Sequence, residues 1–199
     1  MELYTSPTSP YARLVRVTLA EKQLDERVTH RFVDPWASPP ELLAVNPTCR
    51  VPTLVTTSGH VLTEASVIVL FLERRYPEPR LIPRDAVEPV HARLGLALGC
   101  LDCGAGVIGE RRYGDPGTAL ARRRADALQL AVEGVAATVE SERTGDPDLG
   151  DLAAAVALDW VAFRFADEVQ WPARFPAVAV WLERLRERRS FSETTPPIT

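Results

Sequence analysis

The feature that most restricts this chain is a change of pattern near residue 77. Before it, β-branched and aromatic runs alternate with helix-spaced segments; after it, strand patterns stop. Glu2-Leu3-Tyr4-Thr5 predicts a strand, which Pro7 and Pro10 end. Residues 11–23 then carry Leu14, Val15, Val17, Thr18 and Leu19 at the spacing of a helix with one buried face. Residues 27–33 alternate Val28, His30 and Phe32 with polar neighbours, a second strand. Residues 39–43 predict a short helix with proline in its first turn. Residues 51–56 give a third strand, Ser58-Gly59-His60 a tight turn, and Val61-Leu62 a fourth strand. Residues 63–76 form a helix with Ile68, Phe71, Leu72 and Tyr76 on one stripe.

Residues 77–89 hold four prolines and read as a linker. Residues 90–112, 118–142, 149–167 and 175–188 are Ala- and Leu-rich and helical in period. The polar segment 190–199, with Pro196-Pro197, is expected to lie on the surface. The order βαβαββα followed by helices divides the 199 residues into an α/β domain at 1–77, a linker at 78–87 and an all-α domain at 88–199.

Composition narrows the class of function. Hydrophobic residues are 46% and charged residues 25%, which excludes a disordered chain or a fibre. The net charge of −4 argues against a nucleic-acid partner. Three cysteines are too few for a disulfide scaffold. The longest weakly polar stretch, 94–109, is shorter than the ~20 residues a spanning helix needs. With no basic start followed by an apolar run, the expectation is a cytoplasmic protein with no membrane segment. His30, His60 and His91 are scattered and give no metal-ligand spacing, so no metal is expected. Cys100 and Cys103 share a CxxC spacing, but within a helical stretch they read as small apolar residues. Arg111-Arg112 and Arg122-Arg123-Arg124 read as solvated helix faces.

Three segments carry possible chemistry. Ser9-Pro10 is a helix start, with a hydroxyl at the cap and proline at the first helical position. A helix N-terminus has free N–H donors and partial positive charge, and so favours a thiolate. Ser9 is either a hydrogen-bond donor to such a sulfur or only a cap. Val51-Pro52 begins the third strand, where a cis bond would turn the Val51 backbone outward to pair with an extended peptide. A plain edge-strand proline is the alternative. At Thr63-Glu64-Ala65-Ser66 a strand turns into a helix. Its N–H groups could hold a carboxylate and Glu64 an amino group, unless Thr63 simply caps the helix.

In order and spacing these segments resemble the glutathione transferase family, over essentially the whole chain. Ser9-Pro10-Tyr11-Ala12-Arg13-Leu14-Val15-Arg16 resembles the active-site helix of its serine-type and tau-like classes. Asn46-Pro47 with Arg50-Val51-Pro52-Thr53-Leu54 resembles the loop whose proline is cis in the family. Leu62-Thr63-Glu64, Ile68, Phe71-Leu72 and Tyr76-Pro77 resemble the segment after it. Asp148-Leu149-Gly150-Asp151 resembles the family's capping box, and Phe175-Pro176, Trp181 and Phe191 its ending. The resemblance implies a thioredoxin-like domain joined to a helical domain, in a homodimer. It implies glutathione as co-substrate: Val51 and Pro52 at the cysteinyl backbone, Glu64, Ala65 and Ser66 at the γ-glutamyl end, and Ser9 at the sulfur. The electrophile would lie between the domains, with Tyr11, Arg13, Trp36 and Cys103 as cleft residues. The implied role is detoxification by conjugation.

Two positions depart from the family pattern. Ala65 replaces a serine whose hydroxyl meets the γ-glutamyl carboxylate, and Cys49 replaces a loop glycine. Two other functions therefore stand beside conjugation. One is glutathione-dependent reduction of disulfides or peroxides. The other is a non-catalytic homologue that binds a ligand or a protein.

Overall fold

The computed structural model describes residues 1–139 and 145–197. The chain divides into two compact units, Met1–Leu81 with Arg186–Thr199, and Ile82–Leu185.

The first unit contains β1 (Glu2–Thr5), α1 (Pro10–Glu21), β2 (Thr29–Phe32), α2 (Pro40–Val45), β3 (Thr53–Val55), β4 (Val61–Thr63) and α3 (Ala65–Arg75). Single turns of 3-10 helix stand at Asp25–Arg27 and Pro35–Ala37. The sheet order is β2-β1-β3-β4; β1 and β2 are parallel, and β3 runs antiparallel to both neighbours. This is the expected thioredoxin-like topology. Leu3 and Leu54 in the central strands are fully buried. α1 packs on α3 and contributes Leu14, Val15 and Val17 to the core that Ile68, Val69 and Leu72 complete.

Lys22, the one lysine in the chain, closes this unit at the end of α1. Its ammonium has no exposed surface and donates to the Tyr76 carbonyl at 2.7 Å and the Pro79 carbonyl at 2.9 Å. It also pairs with Glu73 at 2.6 Å, so all three donors are engaged. Glu73 in turn accepts the Leu81 N–H at 3.2 Å. The Glu78–Pro79 bond in this turn is cis, which nothing in the local sequence signals.

The terminal segment corrects one expectation. The polar residues after 189 do not lie loosely on the surface. α9 (Arg189–Ser192) forms there, and Ser190, Phe191 and Thr194 are buried within the first unit. The reason is long-range: the Arg13 Nε donates to Thr194 Oγ1 at 3.3 Å, and its guanidinium stacks 5.5 Å over the Phe191 ring.

The second unit holds α4 (Val87–Tyr113), α5 (Ala119–Ala137), α6 (Leu149–Arg164), α7 (Trp171–Arg174) and most of α8 (Pro176–Arg186). α7 was not expected. The helix expected over 118–142 ends at Ala137; residues 140–142 of it lie outside the described residues. α4 and α5 pack on each other and on α6, which is buried continuously from Leu149 to Val161. The Asp148 side chain accepts the Asp151 N–H at 2.9 Å and the Asp151 carboxylate accepts the Asp148 N–H at 3.1 Å, the reciprocal capping box. Arg93 of α4 reaches both carboxylates, Asp148 at 2.5 Å and Asp151 at 3.5 Å. Close approach of α4 and α6 requires small residues. A Cβ on Gly104 would lie 2.4 Å from the Trp160 ring, and one on Gly150 would lie 2.9 Å from Arg93.

The apolar stretch 94–109 continues on both sides into α4. That stretch lies inside a 27-residue helix with a window of mean hydropathy 1.4, long and apolar enough by length and composition to cross a membrane.

Replacing Lys22 by Met leaves Glu73 and two carbonyls without their cation. Breaking a buried pair from one side is expected to cost about 3–5 kcal/mol, read as the loss in urea unfolding free energy.

Candidate functional site

Strand register brings three loops to one edge of the sheet. Tyr4 of β1 faces Thr53 of β3, and Thr53 faces Thr63 of β4. Because β3 opposes both neighbours, its start lies beside the ends of β1 and β4. The residues just beyond are 6–9, 51–52 and 64–66, which include most of the residues expected to form the site. β2 adds its own end, with Thr5 opposite Phe32, and so brings the turn bearing Trp36 to the same edge.

Ser9 is the N-cap of α1. Its Oγ accepts the Ala12 N–H at 3.3 Å, and its carbonyl accepts the Arg13 N–H at 2.9 Å. A hydroxyl that accepts through a lone pair keeps its own proton to donate. Capping and donation to a ligand are therefore compatible, and the two readings of Ser9 do not compete. The side chain is half-buried, open enough to meet a ligand.

The start of α3 differs from the capped start that Thr63 would have made. Glu64 is the N-cap, at φ 67 and ψ 127, and no side chain accepts a hydrogen bond there. Positive φ is costly for a residue with a Cβ, so surrounding structure holds Glu64 in place. Its carbonyl accepts the Ile68 N–H at 3.0 Å, and the carboxylate is exposed. The first turn of α3 thus has no capping side chain, and its N–H groups would favour an anion there. Ala65 is 3% exposed and Ser66 is half-buried.

The Val51–Pro52 bond is cis. The paired ladder begins only at Thr53, so Val51 lies outside it. Asn46, which sequence reasoning gave no role, organises this loop. Its amide donates to the Arg50 carbonyl at 3.1 Å and Thr53 Oγ1 at 2.9 Å, while its oxygen accepts from the Thr48 N–H at 3.0 Å. The only sequence signal for that role is the Asn-Pro turn itself. Cys49 has φ 52, which explains why the family pattern places glycine there. Its thiol donates to the Pro35 carbonyl at 3.5 Å and ties this loop to the turn that presents Trp36. Trp36 is 54% exposed, and its N–H donates to Asp34 at 3.0 Å.

The remaining expected cleft residues divide. Tyr11 is half-buried in the first turn of α1. Arg13 is not a cleft residue: it is 1% exposed and its guanidinium turns toward α9, where the Phe191 carbonyl at 3.5 Å also accepts from it. Cys103 belongs to the second unit, on α4. Burial and the neighbouring Asp102 push its thiol up, while burial and Cys103 push the Cys100 thiol up to about 12. Both thiols are therefore poor nucleophiles at neutral pH. Among the described residues no cluster of His, Cys, Asp and Glu has the geometry to hold a metal.

A four-stranded sheet with a capped, proline-started helix at one loop, a cis-proline at the next and an uncapped helix start at the third defines a thioredoxin-like protein. Residues 3–80 match the family model described as glutathione S-transferase, N-terminal domain. FtsZ-localized protein A of Caulobacter vibrioides is 30% identical over 95% of this chain and 88% of its own length. An uncharacterized GST-like protein of Escherichia coli is 28% identical over 99% of both chains. The crystal structure of a glutathione S-transferase from Methylobacterium radiotolerans, in complex with glutathione sulfonate, superposes with a TM-score of 0.88 over 100% of this chain and 95% of that one, at 29% identity. The chain belongs to the glutathione S-transferase family.

Two measurements check this geometry. Cys49→Gly removes the cost of a left-handed Cβ and Cys49→Ala keeps it, while both lose the thiol contact. The Gly variant is expected to be the more stable by about 1 kcal/mol in thermal unfolding. Alkylation at neutral pH is expected to leave Cys100 unmodified in the folded protein and to label it once the chain is unfolded.

Proposed function

We propose that the protein binds glutathione along this sheet edge and activates its thiol for attack on a small electrophile. The observation that carries the reading is the pair of helix starts at the edge: Ser9 caps α1 and retains a donatable proton, and α3 begins without a capping side chain. In this reading the γ-glutamyl carboxylate sits on the α3 N–H groups with Ser66, and Glu64 accepts from the α-amino group. The cysteinyl backbone pairs with Val51 beside Pro52, and the sulfur lies at Ser9. A donor and a helix N-terminus together lower the thiol from its usual ~8.5 toward neutral. The thiolate lone pair then forms the carbon–sulfur bond as the displaced electron pair leaves with the electrophile's leaving group. A cytoplasmic homodimer belongs to the same proposal.

Ala65 favours a second reading, a transferase-like protein that binds a partner or ligand without turnover. A lost hydrogen bond to a charged group is worth ~1.5–3 kcal/mol. FtsZ-localized protein A, a relative named for its localisation, fits beside this reading.

Titration calorimetry with glutathione separates the two. Binding is expected below millimolar, and its absence at millimolar would remove every glutathione-dependent reading. Ala65→Ser is expected to tighten binding about tenfold, and Ser9→Ala to lower conjugation kcat/KM about 10- to 100-fold. Unchanged turnover in the Ser9 variant would refute the role given to its hydroxyl.

A further inference from the structure

The family model ends at residue 80, yet the first unit does not. Its final piece, from Arg186 onward, is fastened along α1, the helix whose N-cap is Ser9. Near the end of α1, the Glu21 carboxylate accepts Arg188 Nε at 2.9 Å, Arg188 Nη2 at 2.8 Å and Ser190 Oγ at 2.5 Å. Near its start, Arg13 holds Thr194 Oγ1 and the Phe191 carbonyl and stacks on the Phe191 ring. Arg13 is also the residue whose N–H makes the first helical hydrogen bond of α1, to the Ser9 carbonyl at 2.9 Å. A displacement of Arg13 is therefore passed to Ser9 through one hydrogen bond.

We propose that the C-terminal segment is a positioning strap for Ser9, which fixes the axial rotation and position of α1 through Glu21 and Arg13. Ser9 Oγ must cap Ala12 and meet a ligand sulfur at once. Both demands are directional, and donor strength falls steeply once the angle departs from linear. Two fastenings at opposite ends of a helix fix its rotation, whereas one leaves a pivot. Bidentate pairing at Glu21 adds geometric specificity to the attachment. Arg13, Glu21, Arg188 and Thr194 are positioning residues that act through α1.

The inference rests on the proposed role of Ser9, and the test keeps the two apart. The readout is the pH titration of the thiolate absorbance of glutathione bound to the full-length protein. Ser9→Ala is expected to raise the midpoint by about 1–2 units, the equivalent of a lost hydrogen bond to a charged group. Arg13→Met is expected to raise it by about half to one unit, with the glutathione Kd changed less than threefold. Arg13→Met also removes a buried positive charge, so Arg188→Ala with Thr194→Val, which keeps Arg13, is the deciding variant. It is expected to shift the midpoint in the same direction as Arg13→Met, with native far-ultraviolet dichroism retained. If Ser9→Ala does not move the midpoint, the proposed role of Ser9 fails. If Ser9→Ala moves it and the double variant does not, Ser9 stands and the strap is overturned. If only Kd rises in the double variant, the segment is structural and the strap is likewise overturned.

Discussion

The candidate site depends on the direction of β3. Were β3 parallel to β1, its start would lie at the opposite end of the sheet from the loop after β1, and the Val51 backbone could not share an edge with Ser9. Antiparallel pairing with both neighbours, through the row Tyr4, Thr53 and Thr63, places a strand start between two strand ends. Each of those two ends leads directly into a helix, so two helix N-termini converge on that edge. Each contributes the equivalent of about half a positive charge. Two positive helix ends on one edge favour a ligand with negative charge at two separated points, before any side chain is considered.

The departure at Ala65 leaves this backbone arrangement unchanged. The missing hydroxyl removes one donor, but the α3 N–H groups belong to the backbone and survive any side-chain change. What the edge needs at that point is a helix start without a competing cap, and Glu64 supplies it by adopting positive φ instead of folding its carboxylate back. Cys49 is a parallel case. The loop needs a left-handed residue there, and the network of Asn46 with Arg50, Thr53 and Thr48 holds the backbone in place around a residue that bears a Cβ.

The parts of this architecture that were legible in the sequence are those whose cause is local. Ser9-Pro10 reads as a helix start because the cap and the proline act within one turn, and the four strands follow from β-branched runs and the prolines or turn residues that bound them. The capping box of Asp148 and Asp151 spans three residues and reads equally well. What was not legible has distant partners. Arg13 looks like a solvent- or ligand-facing residue on an amphipathic helix, because the acceptors that allow its burial lie 178 and 181 residues away. The terminal segment looks like a polar tail because Phe191 and Ile198, its two large apolar side chains, are seven residues apart and make no periodic pattern. Cys103 enters the expected cleft only through the family resemblance, and burial and Asp102 raise its thiol and so make it less reactive.

The same distance argument bears on what counts as the domain. Similarity to the family model stops at residue 80, but α1 carries a nearly fully buried guanidinium and, at Glu21, a carboxylate that is only 10% exposed. Without residues 186–197 Arg13 would lose Thr194, the Phe191 carbonyl and the Phe191 ring, and Glu21 its contacts with Arg188 and Ser190. Loss of partners to a buried charge costs several kcal/mol, a large fraction of the stability of a domain this size. The segment that supplies the partners arrives only after the helical unit has been traversed. The first unit is therefore assembled from both ends of the chain, and residues 3–80 cover only part of it.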